Sequence, residues 1–488
     1  MFRKSLLGVL ALFLISGCGG GGSSSVTGGR TTGNVTATYL PYLSSIDFVD
    51  CSVPSSPIKV VSGEVEGVKL FVRNASVNMA DESYTDRHFN YLAFLQSGKV
   101  YRLSLLKKGK LPAPEPVSGV SGVCSFVATA ADIDTDRGYV VAETAGSDGN
   151  CSTASDNEQW LLDMADLKGI NLNGKEFIAF LPDSRFRVEH ALFYRATAAS
   201  AEICSLPGVD NCTSIVSSLS RPTLLSALSV YKHSKQGFEH YYCIDFGSGA
   251  KLYSWNGSTL GELPNGNCTG WFTMAATEDT LYGTDGSSLF VYRNGSQFQV
   301  PSPVSGATIS GIEVLGHYVV IQLYGGVTPS LYYYDPQTNS TYQIASQVEP
   351  MPLPLQYKLY YVKLLTNGTE EACIWNSAEP KASPICVQDA YWAGYSVKPS
   401  GKGDDYVNAL LLVENGKLYS TDLNGRRLKE LGSVDSTARV FFYGIGNCLL
   451  GEELYQSGNA DVLFVDLGRE NSLLKVTDTP NSSEFVIY

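Results

Sequence analysis

Residues 281–292, LYGTDGSSLFVY, contain two short strand-like runs joined by a turn. Leu281 to Thr284 form the first run, Asp285-Gly286 is the turn, and Ser288-Leu289-Phe290 begins the second run. Asp-Gly between two apolar runs is a strong signal for a β-hairpin, because such a turn needs residues that tolerate a positive φ. This hairpin indicates the fold of the whole chain, because similar hairpins recur through most of it.

The recurring hairpin has a second strand that begins with a small residue or Lys, followed by an aliphatic and then an aromatic residue. Further copies lie at Tyr91–Tyr101, Tyr242–Tyr253, Tyr318–Tyr332 and Ala409–Tyr419, with weaker copies at Leu359–Trp375 and Val462–Val476. From Tyr253 onward, the aromatic position recurs at spacings of about 37, 42, 42, 45 and 55 residues. That period is typical of a radial array of four-stranded sheets, a β-propeller, in which each sheet buries its faces against its neighbours.

The region between residues 101 and 253 needs two further blades to keep this period. Tyr139–Glu143 with Trp160–Leu162 supplies one, and Ala191–Arg195 with Ile203–Ser205 supplies the other. The sequence therefore predicts an all-β fold, a single β-propeller of about eight blades (roughly seven to nine) built from antiparallel four-stranded sheets. A pair of β-sandwiches is the alternative fold, but two such domains would not carry one period across an unbroken stretch.

The first residues have the three parts of a secretory signal peptide. Arg3 and Lys4 are basic, Leu6–Ile15 is apolar, and two small residues precede Cys18. The apolar run is too short to span about 30 Å of hydrocarbon as a helix, so we expect it to be cleaved. The segment 14–18, LISGC, resembles the lipobox of bacterial lipoproteins. The resemblance implies cleavage before Cys18 and lipid attachment, including acyl chains of the palmitate type, at that residue; an ordinary signal peptide is the alternative.

The residues after Cys18 are typical of a flexible tether. Gly19–Ser25 is pure Gly/Ser, and such a segment has no core-forming residues. The predicted organisation is a signal peptide at 1–17, a lipidated tether at 18–44 and the propeller domain at 45–488. Because position 19 is Gly rather than Asp, the lipoprotein resemblance implies a cell-envelope protein anchored in the outer membrane if the source has two membranes.

The charge and the cysteine content fit an exported chain. A formal net charge of −13 argues against nucleic acid as a partner and against electrostatic docking to anionic lipid, so the lipid itself must be the membrane contact. Ten of the eleven cysteines remain when Cys18 is set aside, and they lack metal-site spacing, so we predict five disulfides. The predicted pairs are Cys204–Cys212, Cys373–Cys386, Cys124–Cys151, Cys243–Cys268 and Cys51–Cys448, of which the last would close the ring.

One acidic segment has the oxygen spacing of a calcium loop. Asp132, Asp134 and Asp136 stand at alternate positions, and Glu143 is the twelfth residue counted from Asp132. Arg137 occupies the sixth position, where such a loop needs Gly for a sharp turn, and the residues before Glu143 are strand-like. The preferred interpretation is a structural turn between the first two strands of a blade.

Four of the five histidines share a sequence context. His88, His190, His240 and His317 each stand just before, or at the start of, an aromatic strand-like run. If each opens the same strand of its blade, all four lie on one face of the ring. A ring of ligands for a metal or an anionic group is one hypothesis. A hydrogen bond from a ring nitrogen to a loop carbonyl between blades is the preferred one, because the second strand lies too far from the axis for convergence at metal-bond distances.

The sequence contains none of the common catalytic signatures: G-x-S-x-G, a P-loop, H-E-x-x-H and a dinucleotide fingerprint are all missing, and no cofactor is implied. We therefore predict a membrane-anchored envelope lipoprotein that acts as a non-catalytic binding or scaffold module, with another envelope protein or a glycan as its partner. The architecture resembles the eight-bladed lipoprotein subunit of the outer-membrane β-barrel assembly machinery, a likeness of fold only. One alternative is an envelope enzyme, glycan-active or quinone-dependent, with acids and aromatics at the channel mouth. The other is a surface adhesin or coat component.

Overall fold

The computed structural model describes most of the chain after residue 42. The described residues are 43–49, 58–65, 67–78, 83–104, 113–132, 135, 137–145, 151, 158–217, 220–232, 234–325, 328–349, 352–355, 357–398, 401–402, 407–455, 460–477 and 483–487. In these ranges the only helical element is a 3-10 turn at Ala196–Ala198, so the predicted all-β fold is confirmed. The same ranges contain no helix that is long and apolar enough to cross a bilayer. Cys18, Cys51, Asp134 and Asp136 lie outside them.

The strands follow one another as meanders, each a set of four strands that pair in chain order. After β1 (Leu43–Val49) and β2 (Ile58–Val65), meander 1 contains β3 (Gly67–Asn78), β4 (Ser83–Gln96), β5 (Lys99–Ser104) and β6 (Glu115–Pro116). Meander 2 contains β7 (Val123–Ala131), β8 (Gly138–Thr144), β9 (Glu158–Asp163) and β10 (Lys168–Asn171). Meander 3 contains β11 (Lys175–Leu181), β12 (His190–Arg195), β13 (Ser200–Ser205) and β14 (Cys212–Ser217). Meander 4 contains β15 (Thr223–Lys232), β16 (Gly237–Asp245), β17 (Ala250–Trp255) and β18 (Leu260–Asn267).

The second half of the chain continues the pattern. Meander 5 contains β19 (Thr273–Ala276), β20 (Leu281–Thr284), β21 (Ser288–Arg293) and β22 (Ser296–Pro301), and meander 6 contains β23 (Thr308–Leu315), β24 (Tyr318–Tyr324), β25 (Ser330–Asp335) and β26 (Ser340–Ser346). Meander 7 contains β27 (Leu353–Leu355), β28 (Lys358–Leu364), β29 (Glu370–Asn376) and β30 (Ile385–Gln388). Meander 8 contains β31 (Ala390–Val397), then, after β32 (Gly401–Lys402), β33 (Val407–Glu414), β34 (Lys417–Thr421) and β35 (Arg427–Ser433). Meander 9 contains β36 (Ala438–Ile445), β37 (Cys448–Tyr455), β38 (Ala460–Asp466) and β39 (Leu474–Thr477), and β40 (Ser483–Ile487) ends the described chain.

The described strands thus form nine meanders, and meanders 8 and 9 share one eight-stranded sheet. The two units expected between residues 101 and 253 are present, since β8 pairs with β9 and β12 pairs with β13. Strand β40 pairs in parallel with β1, and β32 pairs with β4, so segments near both ends of the chain are joined outside the meanders. The number of blades in the ring stays a prediction.

Apolar side chains fill the spaces between successive meanders. Tyr91 and Ala93 of meander 1, for example, pack in one cluster with Val140 and Leu162 of meander 2. Similar clusters lie between each following pair as far as meanders 6 and 7, and one larger cluster joins meanders 7, 8 and 9. Each small sheet therefore buries its faces against its neighbours, which is the packing of a β-propeller.

Meanders 8 and 9 are joined along their first strands. Residues 394–397 of β31 pair in parallel with residues 442–445 of β36. Gly394 has a φ of +127°, and a Cβ atom at this position would lie 2.0 Å from the carbonyl oxygen of Phe442. Glycine is thus required for the close approach of the two main chains.

Every meander has two ends, and each functional site lies at one of them. The turn-1 end carries the turns between strands one and two and between strands three and four. The turn-2 end carries the turn between strands two and three and the link to the next meander. Tight Asn-Gly turns, such as Asn294-Gly295 and Asn415-Gly416, have positive φ at both residues, as hairpins of type I′ need.

Candidate functional site

Three meanders bring charged and aromatic side chains together in one group, the Arg439 cluster, made of Arg439, Tyr391, Glu349 and Glu370. Arg439 is the second residue of β36 and Tyr391 is the second residue of β31, so both lie near the start of a first strand. Glu370 begins β29, and Glu349 lies in the link that precedes β27. All four residues therefore belong to the turn-2 ends of meanders 7, 8 and 9, beside the innermost strands.

The guanidinium of Arg439 organises this cluster. Its Nη2 atom donates hydrogen bonds to a carboxylate oxygen of Glu349 and to one of Glu370, the latter at 2.7 Å. The guanidinium carbon lies 4.0 Å from the centroid of the Tyr391 ring, which is a close cation–π contact. The side chains of Arg439, Glu349 and Glu370 are 21%, 26% and 22% exposed, so solvent and a ligand can reach them.

The Tyr391 hydroxyl is held neutral within the cluster. Burial raises the pKa of this hydroxyl, while the N–H of Val440 and the positive charge of Arg439 act in the opposite direction. The N–H of Val440 donates to the hydroxyl oxygen at 3.3 Å. The cluster therefore combines a neutral phenol, a guanidinium and carboxylates, which are groups for binding both ends of a charged polar ligand.

His240 lies between meanders 3 and 4. Its Nε2 atom is 2.9 Å from the carbonyl oxygen of Asp183, in the turn after β11, and its Nδ1 atom is 2.7 Å from Oγ of Ser229. Burial lowers the pKa of His240 to about 4, so the ring is neutral at physiological pH. The neutral ring donates to Asp183 through Nε2 and accepts from Ser229 at Nδ1. This is the bond between blades that the structural hypothesis for the histidines describes.

Ser229 and His240 have the contact of an activated nucleophile and its base, but they are enclosed. The cavity beside them has a volume of about 30 Å³ and is lined by Ser229, Ala227, Phe186 and Tyr242, among others. A space of that size holds roughly one water molecule. His240 is 1% exposed and Ser229 is 3% exposed, so a substrate carbonyl cannot approach the serine oxygen. We therefore assign this pair to the packing of the ring.

Of the other histidines, the structure describes the side chains of His190 and His317, which do not converge with His240, whereas the side chain of His88 lies outside the described part. His190 begins β12 and packs edge-on against Trp255 with ring centroids 5.5 Å apart, and His317 precedes β24 and contacts Tyr318. In the part of the chain that the structure describes, no histidine belongs to a group of side chains that could hold a metal. The two groups found there contain Glu202 or Glu371 with cysteines that are disulfide-bonded.

In the acidic segment after β7, the described residues Asp132, Thr135 and Arg137 bind one another as in a turn, and the N–H of Asp132 donates to the carbonyl oxygen of Arg137 at 3.0 Å. Asp132 accepts the N–H of Val188 through Oδ1 at 2.6 Å and the hydroxyl of Thr135 through Oδ2 at 2.5 Å. Glu143 lies on β8, five residues beyond the first residue of that strand, which places it roughly 17 Å along the strand from the turn. The structure thus separates Glu143 from Asp132, and the two do not belong to one ligand loop.

Disulfide bonds are present, as the number and spacing of the cysteines predicted. The bonds in the described ranges are Cys124–Cys151, Cys204–Cys212, Cys243–Cys268 and Cys373–Cys386, which are four of the five predicted pairs. Cys448 is disulfide-bonded as well, and Cys51, its predicted partner, lies outside the described residues.

Sequence patterns did not identify the Arg439 cluster. Arg439 is 90 residues from Glu349 and 69 residues from Glu370, and no local motif connects positions so far apart. The sequence signal that could have identified the cluster is the position of its residues within the strands. Charged or aromatic residues at the start of successive first strands face the same opening once the strands are assigned to blades.

Comparisons with known proteins found similar solved structures but no match by sequence. No family model and no curated protein matches the chain. The chain is similar to a prolyl endopeptidase, with a TM-score of 0.37 and 11% identity over 73% of this chain and 55% of that one. It is similar to puromycin hydrolase, with a TM-score of 0.35 and 10% identity over 70% and 56%. It is also similar to the β-propeller domain of the Trilobed protease from Pyrococcus furiosus, with a TM-score of 0.28 and 11% identity over 65% and 97%. The chain spans about half the length of the first two proteins.

These comparisons correct the functional prediction. The similar solved structures include prolyl endopeptidase, puromycin hydrolase and oligopeptidase B, all of them enzymes, which contradicts the prediction of a non-catalytic binding or scaffold module. At 10–11% identity the likeness shows the fold alone, and the activities of those enzymes remain their own.

Proposed function

We propose that this chain acts on peptides as an enzyme of the cell envelope and holds the charged end of its substrate in the Arg439 cluster. The observation that carries the proposal is the convergence of a guanidinium, two carboxylates and a phenol, from three meanders, at an accessible point beside the innermost strands. Acids and aromatics at the channel mouth are the composition that the envelope-enzyme alternative requires.

The chemistry of the cluster matches the ends of a peptide. The Glu349 carboxylate is placed to accept hydrogen bonds from a substrate ammonium group, and the Arg439 guanidinium to donate to a substrate carboxylate or carbonyl. The Tyr391 ring, which already packs on the guanidinium, offers a flat apolar surface to the neighbouring side chain. Peptides carry all three of these groups within a few ångströms of one another.

Glycoside cleavage fits the same residues less well. A glycosidase needs one carboxylic acid to donate a proton and a second carboxylate to act as nucleophile or base. Here both carboxylates accept hydrogen bonds from the same nitrogen of Arg439, so neither is placed as a proton donor. The cluster therefore fits the binding of a peptide substrate better than the cleavage of a glycan.

The test compares short peptides that have a free amino terminus with their N-acetylated forms. Binding to the purified mature protein is measured by calorimetry, and cleavage by mass spectrometry. We expect Glu349→Gln to weaken binding of the free peptides by about tenfold or more, because it removes one charge-assisted hydrogen bond. The matched control is Glu262→Gln, which breaks an exposed ion pair with Lys251 in meander 4. Equal binding of free and acetylated peptides, or binding without any cleavage, would contradict the proposal.

We also propose that the lipid on Cys18 anchors the protein in the envelope, in the outer membrane of a source that has two. The lipobox-like segment 14–18 and the Gly/Ser-rich tether support this. Replacing Cys18 with Ser should move the folded domain from the membrane fraction to the soluble fraction, since acyl chains supply the stable hold. A Cys18→Ser protein that stays with the membrane would contradict the anchor.

A further inference from the structure

Among the buried polar side-chain atoms of meander 2 that have no hydrogen-bond partner are Oδ2 of Asp163 and Oη of Tyr139. Asp163 is 2% exposed and Tyr139 is fully buried. The two residues are directly paired on β9 and β8, so their side chains project from the same face of the sheet. A buried carboxylate oxygen without a donor is costly, and such an atom in a folded protein calls for a water molecule or an ion beside it.

The position of this pair is fixed by its surroundings. Oδ1 of Asp163 accepts the N–H groups of Ala165 and Asp166 at 3.0 and 3.2 Å, so the turn after β9 orients the carboxylate. Tyr139 packs in the apolar cluster between meanders 2 and 3, with its ring centroid 6.4 Å from that of Phe180. The two unpaired oxygens therefore lie on the side of meander 2 that faces meander 3.

Negative charge is in excess around the Tyr139 hydroxyl. Burial raises the pKa of this hydroxyl, and the charges of Asp163, Asp132 and Asp166 raise it further, whereas Arg137 lowers it. Carboxylates thus outnumber the cation among the charges that act on this point. A positive ion would relieve both the excess charge and the unpaired oxygen, whereas a water molecule would relieve only the second.

We propose that the interface between meanders 2 and 3 binds a calcium ion through Oδ2 of Asp163, with Oη of Tyr139 as a neutral oxygen close by. Calcium takes oxygen ligands in flexible geometry and keeps water molecules where the protein supplies few atoms. The Asp132 carboxylate, which holds the N–H of Val188 at the same interface, adds negative charge to the site. The ion offsets the negative charge that meander 2 buries against meander 3. This role in the ring is separate from peptide binding, and its ligand set differs from the loop of Asp132, Asp134, Asp136 and Glu143.

The experiment replaces Asp163 with Asn in the full mature chain. An Asn side chain keeps an oxygen that accepts the two N–H groups of the turn, so the fold is retained while Oδ2 is lost. Asp245→Asn is the matched control, because Oδ1 of Asp245 accepts the N–H groups of Gly247 and Gly249 in an exposed turn in the same way. Each protein is dialysed against EDTA, and its Tm is measured by circular dichroism with and without calcium chloride.

We expect calcium at about 100 times its Kd to raise the Tm of the wild type and of Asp245→Asn by roughly 2–4 °C, and to leave Asp163→Asn unchanged. Calorimetric titration with calcium chloride should show one binding event that Asp163→Asn weakens by about tenfold or more. A wild type without a calcium response would mean that water satisfies the two oxygens, and equal responses in wild type and Asp163→Asn would place the ion elsewhere. Either result would overturn the proposal.

Discussion

The ring has two kinds of junction between neighbouring meanders. Between meanders 8 and 9, main-chain pairing of β31 with β36 makes one continuous sheet. Between meanders 3, 4 and 5, side chains of meander 4 instead bind main-chain carbonyls of the neighbouring meanders on either side. His240 binds Asp183, and the Lys232 ammonium donates to the carbonyl oxygens of Thr277 and Glu278 at 2.8 and 2.7 Å.

The difference shows which property of the sequence each junction depends on. The main-chain junction depends on the absence of a side chain at Gly394, because any Cβ would meet the Phe442 carbonyl. The side-chain junctions depend on the protonation state of buried groups, since Lys232 and His240 are 3% and 1% exposed. The size of the residue at position 394 should therefore decide the stability of the main-chain junction. Charge and pH should decide the stability of the side-chain junctions.

Among the substitutions that test this contrast, Gly394→Ala should have the largest effect on stability. The new Cβ would lie 2.0 Å from a carbonyl oxygen that is fixed by the pairing of β36, and a φ of +127° is strained for alanine in any case. We expect the free energy of unfolding to fall by about 4 kcal/mol or more, because relief requires the two strands to separate. Urea unfolding followed by tryptophan fluorescence measures the loss.

Gly368→Ala separates the clash from the backbone strain. Gly368 has a φ of +84°, and a Cβ there meets nothing within 4 Å. We expect a loss of about 1–2 kcal/mol, the cost of a left-handed conformation alone. If both substitutions cost the same, close approach of the main chains is not what makes the junction between meanders 8 and 9 sensitive.

The side-chain junction at His240 should respond to pH. Burial lowers the pKa of His240 from 6.5 to about 4, so the unfolded chain binds more protons than the folded one between those values. Stability is therefore fully present above pH 6.5 and is lost as the pH falls towards 4, by about 3 kcal/mol in all. Measurements of Tm across this range should show a shallower decline for His240→Gln than for the wild type.

Two comparisons isolate that effect. Burial raises the pKa of Glu313 to about 7, which gives a slope of opposite sign in part of the same range, so the difference between variants is the informative quantity. Gln297→Ala, which removes an uncharged side-chain hydrogen bond between meanders 4 and 5, should leave the wild-type slope unchanged because it removes no titratable group. A wild-type slope in His240→Gln would show that this histidine does not carry the pH response.

Hairpins, which depend on neighbouring residues, could be predicted from the sequence. Contacts between meanders, which depend on residues far apart in the chain, could not. The hairpin at residues 281–292 forms β20 and β21 as expected, because its alternation and turn are local signals. The pairing of residues 394–397 with 442–445 had no such signal, since it depends on how two meanders approach one another. The Arg439 cluster was missed for the same reason. The shared context of the histidines, in contrast, pointed to a bond between blades, which His240 forms. His190 and His317 pack against Trp255 and Tyr318 instead.

Of the two tests of the side-chain junctions, Lys232→Met has the smaller expected effect on stability and is the more specific. Lys232→Met keeps the length and apolar stem of the side chain but removes the donor that the carbonyls of Thr277 and Glu278 share. We expect a loss of about 2 kcal/mol, the cost of leaving buried acceptors without a partner. Lys251→Met is the control, because its ion pair with Glu262 is exposed and should contribute at most about 0.5–1 kcal/mol. A loss for Lys232→Met no larger than that of the control would show that the two Lys232 hydrogen bonds do not stabilise the junction between meanders 4 and 5.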